Sequence, residues 1–151
     1  MKYERLLIVL IPSMITVLAF ANAYPIEVTS LVTRNLEGVL TDTFHRGEIA
    51  VIETQIYCKP TYYYAPGGIS YLEIIVMLYE RENMMMGLLL TRNTITGGET
   101  KTFGGGIRIR LTDPTGTYRI EVYVWNGFPS EMREAWQPLA AIASTTITVV
   151  P

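Results

Sequence analysis

Cysteine and histidine are nearly missing: Cys58 and His45 are the sole examples in 151 residues. A lone thiol excludes an intramolecular disulfide framework and a cysteine-based zinc site. A lone imidazole excludes multi-histidine metal centres, including the two-His, one-Cys set of a blue-copper site. Charged residues are also scarce, at 17%, with 14 acids against 12 bases. That mild acidity lacks the clustered Lys and Arg of a nucleic-acid surface. No Asn-x-Ser/Thr sequon occurs, so ordinary N-linked glycosylation has no acceptor. Apolar residues are plentiful, 49% of the chain with 11% aromatic. Such a composition argues against disorder, and the length suits one domain.

Residues 1–23 read as an export leader rather than as part of the fold. Lys2 and Arg5 form a short positive flank, Leu6 to Phe20 is apolar apart from Pro12, Ser13 and Thr16, and Ala21-Asn22-Ala23 has the small-x-small form of a signal-peptidase site. Cleavage after Ala23 would leave 128 residues, 24–151, with ten bases against thirteen acids. Two rivals remain. Leu6 to Tyr24 could be an uncleaved anchor, being close to the ~20 residues that span a bilayer. It could also be a short buried helix. The first two place residues 24–151 outside the cell membrane.

From Tyr24 onward the pattern alternates with a period of two and is punctuated by turns. Strands are expected at Pro25 to Arg34, Gly47 to Lys59, Ser70 to Arg81, Gly87 to Thr94, Thr100 to Leu111, Thr117 to Trp125 and Ser144 to Val150. Asn35 to Thr43 reads as a connection or short edge strand. Ala50, Ile52, Thr54, Ile56 and Cys58 form the expected core face of their strand. Ile107, Ile109 and Leu111 are expected inward, with Arg108 and Arg110 outward. Ser70 to Arg81 is apolar on both faces, as a central strand would be. Gly104, Gly105 and Gly106 are expected to bend or bulge their strand. Asn126 to Pro138 is a loop with helix formers enough for one turn. The fold class is therefore all-β, a sandwich of about seven antiparallel strands, preceded by one N-terminal hydrophobic helix.

The stretch Asp113-Pro-Thr-Gly116-Thr-Tyr118-Arg-Ile120 resembles the tyrosine corner of immunoglobulin-like sandwiches. Ile120 stands where antibodies carry a disulfide cysteine. Val122 to Asn126, Gln137 to Leu139 and Ser144 to Val149 are similar to the last two strands of immunoglobulin-like or fibronectin-III-like domains of secreted archaeal cell-surface proteins. The resemblance covers the C-terminal third well and the remainder by strand pattern only. It implies the sandwich and a structural role for Asp113, Gly116 and Tyr118. It says almost nothing about function.

Candidate chemistry is sparse. Cys58 on an inward face behaves as a small apolar side chain, and His45 belongs to a turn, so a Cys–His nucleophilic pair is not expected. Met84-Met85-Met86 could offer soft ligands to Cu(I), but a methionine triplet in a loop more often fills gaps. Glu48, Glu53, Glu73, Glu80, Asp113 and Glu121 are dispersed along the chain, unlike a calcium loop or a glycosidase pair. No metal, cofactor or catalytic residue is expected.

Aromatic surface is left. Tyr62, Tyr63 and Tyr64 lie in a loop between Pro60 and Pro66; Tyr123 and Trp125 occupy the expected outer face of their strand, and Trp136 the loop that follows. Such rings either recognise a partner, as Tyr and Trp do at interface hot spots, or close the ends of the core. The expected function is a non-catalytic extracellular or cell-surface module that binds a protein, an envelope layer or its own copies, with no nucleic-acid partner. It would touch membrane only through residues 6–24 of an uncleaved leader. Alternatives are a filament or pilus subunit assembled by strand donation from Tyr24 to Arg34, and a membrane-anchored accessory subunit similar to the stator parts of archaeal motility machines.

Overall fold

A computed structural model describes residues 24–60 and 67–151; the expected leader and the Tyr62–Tyr64 triplet lie outside the described residues. Among the described residues no helix is long and apolar enough to cross a membrane. The strands are β1 (Ile26–Arg34), β2 (Thr43–His45), β3 (Ile49–Cys58), β4 (Ile69–Tyr79), β5 (Met84–Ile95), β6 (Thr100–Arg108), β7 (Gly116–Trp125) and β8 (Ala143–Val150). A helix α1 (Pro129–Met132) and a 3-10 turn (Arg133–Ala135) interrupt the connection from β7 to β8. One sheet has the order β1-β3-β6, the other β2-β8-β7-β4-β5.

Alternation places the core between the two sheets. On β3, Ala50, Ile52, Thr54, Ile56 and Cys58 are all at most 1% exposed. On β7, Tyr118, Ile120, Val122 and Val124 are equally buried. β4 is central, hydrogen-bonded to β7 on one side and β5 on the other. Its Ile75, Met77 and Tyr79 enter the core, while Leu72 and Ile74 are buried on the opposite face.

The structure corrects several sequence expectations. The chain adds β2, which pairs in parallel with β8, so the sandwich is not wholly antiparallel. Phe44, 1% exposed, anchors that crossing strand in the core. Met84–Met86 open β5 instead of forming a loop, because Glu80 to Asn83 suffice for the turn, with Asn83 in the left-handed region at φ 51°. Leu111 is 74% exposed: β6 ends at Arg108, Ile109 is the last core residue, and the chain turns from Arg110 to Asp113.

Gly104–Gly106 do not bend β6, which pairs with β3 from Thr100 to Arg108 without a register shift. Two glycines instead bring the sheets together at one side. A β-carbon on Gly105 would lie 2.8 Å from Leu89 Cδ1 of β5, and one on Gly87 only 2.4 Å from Ile107 Cγ2 of β6. Both distances are too short for a real contact, so β5 and β6 approach as closely as they do because neither residue has a side chain.

The core has two apolar clusters. One contains Phe44, Ile52, Ile75, Met77, Tyr118 and Ile120; the other contains Ile26, Ile56, Cys58, Tyr71, Ile95 and Val124. Thr54 and Glu73 lie at the junction, since Thr54 follows Ile52 and precedes Ile56 along the inward row of β3, and Glu73 lies between Tyr71 and Ile75 on β4. Both are 0% exposed. The Thr54 hydroxyl donates to Glu73 Oε1, while Oε2 has no partner among the described residues. Burial pushes the Glu73 carboxyl above its ordinary value, and the Thr54 hydrogen bond opposes that shift.

Two outcomes are expected. Gly87→Ala overpacks the joint between β5 and β6 and lowers stability by about 1–3 kcal/mol, whereas Gly104→Ala, whose β-carbon would lie 3.6 Å from the Ile52 carbonyl oxygen, is tolerated; thermal melts of the pair measure the difference. Glu73 has a raised folded pKa, so its stabilising contribution is present below the unfolded carboxyl value of about 4.3 and is lost as pH rises through the folded value. Glu73→Gln removes the charge, so its stability should gain on the parent's as pH is raised from 4 to 8 in a series of urea titrations. A gap that does not change with pH would show that the native carboxyl is not neutralised by burial.

Candidate interaction surface

β7 is amphipathic. Its inward row is core, and its outward row is Arg119, Glu121, Tyr123 and Trp125, all half-buried. Strand pairing sets neighbours beside each. Trp125 lies opposite Leu72 on β4, which lies opposite Arg92 on β5; Tyr123 continues to Ile74 and Leu90, Glu121 to Val76 and Leu88, and Arg119 to Leu78 and Met85. The outer face of β7, β4 and β5 is therefore an apolar sheet surface with a polar margin. Leu88 and Leu90 are 45% and 46% exposed. The three-stranded sheet is more mixed: its outer face intersperses Ile49, Val51 and Tyr57 with Glu53, Gln55, Thr100, Thr102 and Arg108, and Arg34 and Glu53 pair at 3.5 Å.

The aromatic side chains form a continuous row. The Tyr123 and Trp125 ring centroids are 5.7 Å apart, and Trp125 and Trp136 meet edge to face at 5.3 Å. Tyr123 donates from its hydroxyl to Glu121 Oε2 at 2.5 Å, and Arg119 donates from Nε to Glu121 Oε1 at 2.7 Å. The hydrogen bond to the Glu121 carboxylate is the main reason that the Tyr123 phenol lies above its ordinary pKa. Trp136 is positioned by Asn126, whose Nδ2 donates to the Ala135 carbonyl at 2.7 Å and whose Oδ1 accepts from the Gln137 amide at 3.0 Å. The Trp136 Nε1 is buried without a hydrogen-bond partner among the described residues.

The β7–β8 loop is tied down over one end of this face. Glu131 accepts from Arg92 at 2.5 Å and from the Phe128 amide at 3.2 Å, and the Arg92 guanidinium lies 5.2 Å from the centre of the Phe128 ring. Arg92 first, then the Phe128 amide, holds the Glu131 carboxyl below its ordinary range. Beside it lies an open cleft of about 330 Å³, lined by Ser70, Leu72, Arg92, Thr94, Asn126 and Gly127.

The remaining candidates stand apart. Cys58 is fully buried in the second apolar cluster, and burial pushes its thiol up. His45 is exposed, its Nδ1 at 2.8 Å from the Pro151 carbonyl oxygen. Met84 and Met85 are exposed and Met86 packs on the first cluster. Among the described residues no three His, Cys, Asp or Glu side chains gather to hold a metal ion. Sequence reading passed over Leu88, Leu90, Arg92 and Phe128. The Leu88–Leu90 run was the available signal, because three successive residues of a strand cannot all point inward.

At the corner, the Tyr118 hydroxyl donates to the Pro114 carbonyl at 2.6 Å, and Asp113 accepts from the Arg110 amide at 2.7 Å. Gly116 has φ +132°, and a β-carbon there would meet the Tyr79 ring at 3.4 Å. The Tyr79 and Tyr118 ring centroids are 5.4 Å apart.

No protein-family model matches the chain, and no curated protein matches it. Solved structures do. The C-terminal domain of Wzt is similar with a TM-score of 0.65 and 10% identity, over 84% of this chain and 74% of that one. Alkylpurine DNA glycosylase AlkC of Pseudomonas fluorescens, bound to DNA containing an abasic site analog, gives 0.56 and 12%, over 84% of this chain and 31% of that one. A β-glucosidase of Listeria innocua in complex with glucose gives 0.50 and 14%, over 83% and 16%. At these identities the likeness is one of fold, an immunoglobulin-like β-sandwich.

Burial pushes the Tyr118 phenol up to about 12, with Asp113 and Tyr79 adding to the shift. A raised folded pKa gives stability that is whole below the unfolded tyrosine value of about 10 and is lost as pH rises toward the folded one. Tyr118→Phe should cost about 0.5–1.5 kcal/mol at neutral pH through the lost hydrogen bond. It should also reduce, but not abolish, the fall in stability between pH 10 and 12, because Tyr71 is likewise pushed up to about 12. Denaturant midpoints across that range measure both effects.

Proposed function

We propose that this chain is a non-catalytic interaction module, exported to the outer side of the membrane, which binds a protein through the outer face of β7, β4 and β5. The contrast between its two outer sheet faces carries this reading. A solvated antiparallel face carries polar residues outward, and on the outer face of the β1-β3-β6 sheet Glu53 and Gln55 separate Val51 from Tyr57 along β3. The other sheet instead presents Tyr123, Trp125, Val76, Leu88 and Leu90, and contiguous exposed apolar surface marks interaction sites. Tyr123 and Trp125 on its β7 side, with Arg92 and Arg119 nearby, are of the residue types enriched in interface hot spots.

Export is supported by the form of residues 1–23 and by the resemblance to secreted surface domains. β1 is paired with β3 on both sides of its register break at Thr29, and Ile26 is 1% exposed, which favours this reading over donation of that strand to a neighbour.

A photoreactive phenylalanine analogue at Tyr123 of the full-length chain, in its native cell envelope, should give a discrete protein adduct. The same analogue at Tyr57, on the outer face of β3, should not. Trp125→Ala should weaken the association by about 2 kcal/mol, roughly thirtyfold, when compared at a temperature where the variant is fully folded; its melting temperature falls too, because Trp125 covers Leu72. Equal adducts from both faces would overturn the assignment.

A further inference from the structure

We propose that the free edge of β5 pairs antiparallel with β5 of a second copy, joining two five-stranded sheets across a twofold axis; this rests on reading the chain as an interaction module. An unpaired strand edge templates pairing, and proteins normally blunt it with shortness, bulges, charge or proline. Three of the four edges among the described residues are blunted. β2 has three residues, β1 has a register break between Val28 and Ser30, and β6 carries Lys101 and Arg108 around its three glycines. β5 is the least blunted. It has twelve residues and no proline, and its register break at Met86 lies near its start, leaving Gly87 to Ile95 unbroken. Its single charge, Arg92, is engaged by Glu131 of its own chain.

The free stretch of this edge is bounded. Near its end, Lys101 donates to the Thr94 carbonyl oxygen and to Asn93 Oδ1. Met84 to Asn93 is left, with its midpoint between Leu88 and Leu89. A second copy is the fitting occupant, because a twofold interface is self-complementary. In an antiparallel pair related by that axis, one residue lies opposite itself. With Leu88 or Leu89 there, Arg92 falls against the Met84–Met86 stretch of the other copy, so like charges do not meet. Leu88 and Leu90 of both copies then form one strip on the same side of the joined sheet.

A cysteine scan over residues 86–92 of the full-length chain tests this pairing. Opposed residues have Cα atoms about 4.5–5.5 Å apart, inside the range of about 4.4–6.8 Å that a disulfide needs. Disulfide-linked dimer should therefore peak at Leu88→Cys or Leu89→Cys, about fivefold above positions two removed, where the self-pair is too far apart to bridge. Cys58, being buried, should give no dimer in the parent. Met85→Lys with Leu90→Lys, both at exposed positions, should remove the peak without lowering the melting temperature. A flat profile, no dimer above the parent, or a peak indifferent to the two lysines would overturn the pairing. Failure of the aromatic-face reading would show as equal adducts from Tyr123 and Tyr57 and would leave this profile unchanged, so the two failures are distinguishable.

Discussion

Leu72, Ile74, Val76 and Leu78 point away from the sandwich core, yet Leu72 and Ile74 are only 2% and 6% exposed. A central strand that is apolar on both faces must be covered twice, and much of the molecule serves that second covering. Trp125 and Tyr123 lie over it from β7, and Leu90 and Leu88 flank it from β5. The β7–β8 loop is drawn back toward it by Arg92, whose guanidinium engages Glu131 and Phe128 together. Arg92 and Glu131 are too exposed for their ion pair to contribute much by itself. Their part is to fix the loop, and with it Trp136, against Trp125. The covering ends at β5, where the leucines are left about half exposed.

The inner face of β4 sets the other constraint. Glu73 stands in a row that is otherwise apolar, and its hydrogen bond from Thr54 links β4 to β3 across the sandwich. A buried carboxyl with one unsatisfied oxygen is costly to stability. Its position at the junction of two apolar clusters gives it a second consequence. Sliding β3 against β4 by two residues would preserve every apolar alternation but would set Glu73 against Ile52 or Ile56. The pair thus penalises a slip that hydrophobic patterning alone would tolerate, since period-two rows are indifferent to shifts of two.

What could be read in the chain was whatever obeyed that period. β3 and β7 were legible residue by residue because each has one buried and one partly solvated face. Glu73 was not legible as an inward residue, because β4 is apolar on both faces, nor as a partner of Thr54, because their opposition depends on the packing of one sheet over the other, which is not a local property. β2 was missed because three residues cannot establish a period, and the burial of Phe44 depends on a parallel partner more than a hundred residues away. The glycine run was misread for a related reason. A missing side chain signals either a bend or a close approach, and only the position of Leu89 and Ile107 decides which. In the site, Tyr123 and Trp125 followed from alternation, whereas their neighbours Leu88, Leu90 and Arg92 depend on β5 lying beside β4.

The same glycines connect the close joint of the sandwich to the exposed edge. Gly87 and Gly105 let β6 settle over the inner side of β5, so Leu89 is half-buried there and the inner face of β5 needs no further cover. From Gly87 to Ile95, β5 is paired with β4 without a break. A strand fixed in this way keeps its outward backbone groups aligned, whereas a bulged or twisted edge would scatter them. The contact that completes the core on one side of β5 is therefore what leaves its other side ordered and unpaired, and along that edge Thr94 has its carbonyl held by Lys101 and its amide by Asn93 Oδ1.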